Sequence, residues 1–163
     1  MLRQYFQIHR RVRSGIALAA ATMLAVSCTA LPEENSGKDA YRHVAEEMPL
    51  DEWAVDKISS RDGDTTDWKF VMLAQPTAFL VELSADHPET EIRLGVYDRY
   101  GMRIASQVRT EQSPVVKLQV PKTKRNGKHF LMVQALDGPG TDYQVRVKVG
   151  GASSGGDPNL PDF

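Results

Sequence analysis

The chain has 163 residues, enough for one domain of ordinary size, and 20 lysines and arginines stand against 21 aspartates and glutamates. This balance gives no reason to expect a nucleic-acid partner, because nucleic-acid-binding proteins usually need a concentrated basic face. The single cysteine excludes an intramolecular disulfide, and packing must therefore stabilise the folded part.

The N-terminal segment has the layout of a secretory signal. Its first 15 residues contain four arginines and no acidic residue, and the next twelve, IALAAATMLAVS, contain no charge. A membrane-spanning helix needs about 20 apolar residues, so this run is too short to span a bilayer but fits the apolar region of a signal peptide. The sequence therefore predicts a signal peptide at residues 1–27.

The residues around Cys28 carry a family resemblance. Ala25, Val26 and Ser27 followed by Cys28 resemble the lipobox of bacterial lipoproteins. The resemblance implies cleavage before Cys28, lipid on its sulfur and acylation of its new amine, and two or three acyl chains hold a protein durably on a membrane. Because Thr29 is not the aspartate of an inner-membrane retention signal, we expect the outer membrane. A plain secretory signal and an uncleaved anchor are the alternatives.

The segment after the cysteine is polar. Residues 28–39 contain Pro32 and Gly37 and are interpreted as a tether between lipid and domain. The following stretch, AYRHVAEEM, has apolar residues at helical spacing, which predicts a short helix that ends before Pro49.

From Leu50 onward the apolar residues recur with a period of two, which is typical of β-strands. In the clearest case Ile92, Leu94 and Val96 point to one face, and the link DRYG that follows ends in a glycine suited to a tight hairpin. The pattern predicts strands at 68–73, 78–84, 91–98, 102–108, 115–120, 129–135 and 143–149.

Seven to eight short strands with turn signals between them, and no long helical pattern, predict an all-β fold, an antiparallel β-sandwich, over residues 40–149. The tail at 150–163, GGASSGGDPNLPDF, has no period and is rich in glycine, serine and proline. We expect this tail to be disordered unless a partner orders it.

The predicted domain resembles the bacterial pre-peptidase C-terminal family, β-sandwiches appended to secreted peptidases and other envelope proteins. Four stretches support the resemblance: PEEN (32–35), GDTTDWKF (63–70), IRLGVYDRYGMRIA (92–105) and GKHFLMVQALDGPGTDYQVRV (127–147). Some members of the family bind calcium through acids of the opening segment and the following loops. This chain departs from the pattern at Ser36, where an aspartate is frequent.

The loop RDGDTTDW is the best candidate for a metal site. Asp62, Asp64 and Asp67 offer the hard oxygen ligands that calcium prefers, although the loop lacks the spacing of an EF-hand. The alternative is a solvated turn, in which Asp67 bonds backbone where a strand begins. We expect no other cofactor.

The sequence contains no local signature of an enzyme. It has no G-x-S-x-G elbow, its histidines lack metal-ligand spacing, and its only cysteine is the predicted lipid acceptor. The strand faces predicted to be exposed carry basic residues such as Arg109 and Arg146, and Tyr97, Arg99 and Tyr100 near the hairpin tip could bind an anionic glycan or a partner protein.

These observations predict a non-catalytic, membrane-anchored lipoprotein. Its expected role is an interaction or assembly subunit of an envelope complex that serves secretion, motility or a surface structure. The alternative is a calcium-dependent binding module for polysaccharide, peptidoglycan or extracellular protein. A peptidase accessory or inhibitor would rest on the family resemblance alone.

Overall fold

The computed structural model describes residue 31 and residues 33–150, which form nine β-strands and two short 3₁₀ turns. The turns are Arg42–Val44 and Ser60–Asp62. The strands are β1 (Glu46–Glu47), β2 (Ala54–Ile58), β3 (Thr66–Leu73), β4 (Phe79–Ala85), β5 (Glu91–Tyr97), β6 (Arg103–Arg109), β7 (Val115–Val120), β8 (Gly127–Asp137) and β9 (Thr141–Val149).

The strands form two sheets. One sheet has the order β1-β3-β8-β5-β6, and the other has the order β2-β9-β4-β7. All pairs are antiparallel except β1 with β3. The predicted antiparallel β-sandwich is therefore confirmed, and all seven predicted strands are present within one or two residues of their predicted ends. The short strands β1 and β2 are additional.

The core lies between the two sheets and consists of every second residue along each strand, whose side chain points toward the other sheet. On β5, Ile92, Leu94 and Val96 are fully buried, as the period of two predicted. β8 lies between β3 and β5, and its inward residues Leu131 and Val133 are fully buried as well. Each aliphatic side chain buried in this way contributes about 1.5–3 kcal/mol to the free energy of folding. The inward residues of β5 and β8 therefore supply much of the stability of the domain.

The opening segment does not behave as the sequence predicted. Residues 33–39 were assigned to the tether, but Ser36 and Asp39 are buried, and the backbone N–H of Asn35 donates to the carbonyl of Gly63. The packed structure therefore already includes this part of the predicted tether, because its polar groups are satisfied by the loop before β3. The predicted helix at 40–48 is also wrong: the chain there forms only the 3₁₀ turn and β1.

Several predicted features lie outside the described residues: the signal peptide at 1–27, the acceptor Cys28, the first residues of the tether and the tail from 151 onward. Within residue 31 and residues 33–150, no helix has the length and apolar character needed to span a membrane.

Arg109 differs from its sequence interpretation. The alternation of β6 predicted an exposed charge, but the side chain is 1 % exposed at the end of that strand. Its guanidinium donates to the carbonyls of Ala85, His87, Thr90 and Pro114 at 2.8–3.0 Å. The arginine thus joins the loop between β4 and β5 to the loop between β6 and β7, and five fixed N–H donors suit this role where a lysine would not.

We predict that Arg109→Met lowers the free energy of unfolding by about 3 kcal/mol, because it leaves several buried carbonyls without a donor. Urea unfolding measures this change. Arg103→Met, at the exposed start of the same strand, is the matched control and should stay within about 0.5 kcal/mol of the wild type. Equal losses in the two variants would contradict the role assigned to Arg109.

Candidate functional site

A basic cleft lies at one end of the sandwich, between the β5–β6 hairpin loop and the loop that joins β7 to β8. Its volume is about 440 Å³. Five of its lining residues are cationic and one is acidic. The lining consists of Asp98, Arg99, Tyr100, Met102, Arg103, Ile104, Pro121, Lys122, Thr123, Lys124, Arg125, Asn126 and His129.

The hairpin side of the cleft is shaped by Asp98. One oxygen of its carboxylate accepts the backbone N–H groups of Tyr100 and Met102, both at 2.9 Å, and its carbonyl accepts the N–H of Gly101. Gly101 has a φ of +88°, a conformation that favours glycine, and the Arg42 guanidinium packs against it. The one acid of the cleft therefore fixes its own loop.

Tyr100 links the two loops of the cleft. Its hydroxyl accepts an N–H of Arg99 at 2.7 Å and an N–H of Arg125 at 2.9 Å, and the carbons of both guanidinium groups lie over the ring, 4.9 and 5.6 Å from its centre. The hydrogen bond from Arg99 lowers the pKa of the Tyr100 hydroxyl. Because a guanidinium has five N–H donors, each arginine keeps donors for a ligand.

The side chains of the cleft have the chemistry of anion binding. His129 at its base is buried, its Nδ1 lies 3.1 Å from the carbonyl of Gly127, and its ring packs edge-on against Phe79. The Thr123 hydroxyl donates to the carbonyl of Arg125. Neither group is paired with a base or a nucleophile, whereas the surrounding cations suit a carboxylate or a phosphate.

The predicted surface residues divide between two places. Arg99 and Tyr100 line the cleft. Tyr97 does not: its ring packs on Trp68 with 5.2 Å between centres and lies against Gly95, on the outer face of the sheet. The loop at 121–126 was missed, and the basic run PKTKR after β7 was the signal that could have found it.

The three acids predicted to bind calcium divide between two places. Asp62 is exposed and accepts the Ser59 hydroxyl at 2.7 Å, whereas Asp64 and Asp67 both line a second, acidic pocket, in which Asp67 is buried beside Tyr143. Within residues 33–150, the acids whose oxygens lie close enough to share one ion are Asp39, Glu46 and Asp56, and the Lys69 ammonium already lies among them. The three predicted acids are not members of this close group, and calcium binding by them stays a prediction.

Asp67 is held in its protonated form by its surroundings. Burial raises its pKa to about 8, and the nearby carboxylates of Asp39 and Asp64 add to the increase. The Tyr143 hydroxyl, which donates to Asp67 at 2.6 Å, opposes it. Only a carboxyl group that stays neutral is tolerated well in this position, between the two sheets.

Comparison with known proteins shows the fold. No protein-family model and no curated protein matches the sequence. The pre-peptidase C-terminal domain of collagenase from Bacillus anthracis has a similar structure, with a TM-score of 0.51, 17 % identity, and coverage of 64 % of this chain and 94 % of that one. The chain therefore has a fold like that of pre-peptidase C-terminal domains.

Two further solved structures are more distant. A periplasmic inhibitor of g-type lysozyme from Aeromonas hydrophila matches with a TM-score of 0.43, 8 % identity, and coverage of 64 % of this chain and 95 % of that one. A family 6 carbohydrate-binding module matches with a TM-score of 0.33, 10 % identity, and coverage of 61 % and 88 %. Neither similarity is strong enough to support a conclusion about this chain.

We predict that Asp67→Asn removes a pH dependence of stability. The pKa of Asp67 is about 8 in the folded chain and about 4 in the unfolded chain, so between these pH values the folded form holds a proton that unfolding releases. Wild-type stability therefore falls as pH rises through this window, by at most about 1.4 kcal/mol per pH unit from this group.

Urea unfolding at several pH values between 4 and 9 measures this slope. Asp67→Asn keeps an oxygen for the Tyr143 hydroxyl and should show a shallower decline. Asp62→Asn changes an exposed carboxylate of the same loop and should keep the wild-type slope. The prediction fails when Asp67→Asn and the wild type lose stability in parallel.

Proposed function

We propose that the chain is a non-catalytic interaction domain of the bacterial cell envelope that binds an acidic segment of a partner protein in the basic cleft. The observation that supports this proposal is that four cations from two loops and Arg103 at the start of β6 line one cleft, whose only acid is engaged by its own backbone. A β-sandwich with the fold of an accessory domain is consistent with this role.

The cleft favours a peptide over a sugar. Flat sugar rings usually stack on an open aromatic face, but two guanidinium groups already lie over the ring of Tyr100. Arginine pairs with carboxylates through two parallel hydrogen bonds, so Arg99 and Arg125 suit aspartate or glutamate side chains. The apolar side chains of Met102 and Ile104 lie beside these cations and can bury an apolar residue of the same segment.

The membrane attachment is part of the same proposal and is supported by the sequence. A basic N-terminal stretch, a twelve-residue apolar run and the lipobox-like residues before Cys28 support cleavage and lipidation at that cysteine, with the outer membrane as the destination. A lipid-anchored domain that binds a protein is suited to an assembly subunit of an envelope complex.

We predict that the double substitution Arg99→Glu and Arg125→Glu reduces partner recovery at least tenfold when the full chain is purified from its own cells after mild crosslinking. Each reversal replaces a charge-assisted contact, which contributes about 1.5–3 kcal/mol, with repulsion. Arg61→Glu, an exposed arginine at the opposite end of the sandwich, is the matched control and should retain the partner. Melting curves check that all variants are folded.

Two results would contradict this proposal. One is undiminished recovery of the partner by the double variant. The other is retention of the purified domain by immobilised polygalacturonate with no retention by polyglutamate, which would identify an anionic polysaccharide as the ligand in place of a protein.

For the anchor, mass spectrometry of the purified protein should show an N-terminus at Cys28 that carries acyl groups, since lipidation through the sulfur and the new amine adds their mass to that residue. Cys28→Ser should lose the added mass and leave the membrane fraction. An unmodified Cys28, or residues 1–27 still present in the wild type, would contradict the lipoprotein interpretation.

A further inference from the structure

Lys69 is a buried lysine that faces the space between the two sheets. It belongs to the inward row of β3, together with Asp67, Val71 and Leu73, and its side chain is 4 % exposed. Its ammonium contacts one carboxylate from each of three other parts of the chain. Asp39 of the opening segment lies at 2.6 Å, Glu46 of β1 at 3.3 Å, and Asp56 of β2 is in direct contact.

The three carboxylates have the arrangement of a metal-binding group. Oxygens of Asp39, Glu46 and Asp56 all lie within 4.8 Å of one another, a separation that one ion can bridge. The pocket beside them offers further oxygen ligands from Asp64 and Asn35. A group of hard oxygen ligands with this much negative charge suits calcium, which takes 6–8 of them.

The Lys69 ammonium pairs with these three carboxylates and donates hydrogen bonds to them without a metal ion. It has three N–H donors for three carboxylates, and a buried charge is stable only when it is paired and hydrogen-bonded in this way. Burial on its own would lower the pKa of Lys69, but the hydrogen bonds to Asp39 and Asp56 raise it well above its ordinary value. The lysine therefore stays charged throughout the physiological range.

We propose that the Lys69 ammonium takes the place that a metal ion would have among these carboxylates, so that the wild-type chain holds its opening segment without a metal ion. It follows that, when the ammonium is removed, Asp39, Glu46 and Asp56 form a calcium site. Without the ammonium, three carboxylates face one another across the sheets with no cation to balance them. A divalent cation then supplies the missing charge at the same point.

The test uses Lys69→Ala, which leaves room for an ion, and Lys69→Met, which keeps the apolar stem of the side chain. Lys57→Ala is the matched control, because Lys57 lines the same pocket but is exposed and makes no ion pair with these carboxylates. Melting temperatures are measured for the full domain with a chelator and with millimolar calcium chloride, and calcium binding is measured by titration calorimetry.

We expect the wild type and Lys57→Ala to melt at the same temperature in both solutions. Lys69→Ala should melt lower than the wild type in chelator, and calcium should raise its melting temperature by on the order of 5 °C or more, because an ion that binds only the native state stabilises it. Lys69→Met should show the same lowered stability in chelator and a smaller response to calcium.

Three results would overturn the proposal. The first is a calcium-induced rise in the wild type that disappears in Asp56→Asn, which would place an ion beside the ammonium. The second is a folded Lys69→Ala that does not respond to calcium. The third is failure of both Lys69 variants to fold even in calcium, since an ion could then not take the place of the ammonium.

Discussion

The ion pairs of Lys69 join the two sheets and the opening segment at a place where few backbone hydrogen bonds connect them. β3 and β1 belong to one sheet, β2 belongs to the other, and the opening segment belongs to neither, yet all four meet at this one ammonium. β1 has only two residues, so its ladder alone cannot hold the segment that contains it. At the edge of the sandwich formed by β1 and β2, the two sheets are thus held together by ion pairs, whereas elsewhere they are held together by the packing of aliphatic side chains.

The chain has a formal net charge of −1, yet its charges are separated in space. Carboxylates collect beside Lys69 and around the loop before β3, whereas the other end of the sandwich presents five cations in one cleft. The composition does not show this separation of charge, because the carboxylates at one end and the cations at the other cancel in the net charge. This separation of charge would favour the approach of the proposed acidic partner toward the cleft.

The sequence predicted those parts of the fold that depend on neighbouring residues. The period of two located the strands and their inward faces, and Asp98 with Gly101 located the hairpin, because strand pleat and turn geometry are local. It did not predict that Lys69 or Arg109 is buried, because their partners are distant in sequence: those of Lys69 are 13 to 30 residues away. Nor did it predict which carboxylates lie close together, because spacing along a loop does not determine where carboxylates point.

The contacts of the opening segment also place the start of the folded domain at one end of the sandwich. Asn35 and Ser36 bond to Gly63, at the end of the sandwich opposite the cleft, and the two ends are separated by the length of β3, about 25 Å. Only four residues lie between Cys28 and the packed Glu33, and the five residue steps between them reach at most about 18 Å when fully extended. With the lipid proposed on Cys28, the acidic end of the sandwich would lie near the bilayer, and the cleft at the opposite end would open toward the aqueous side.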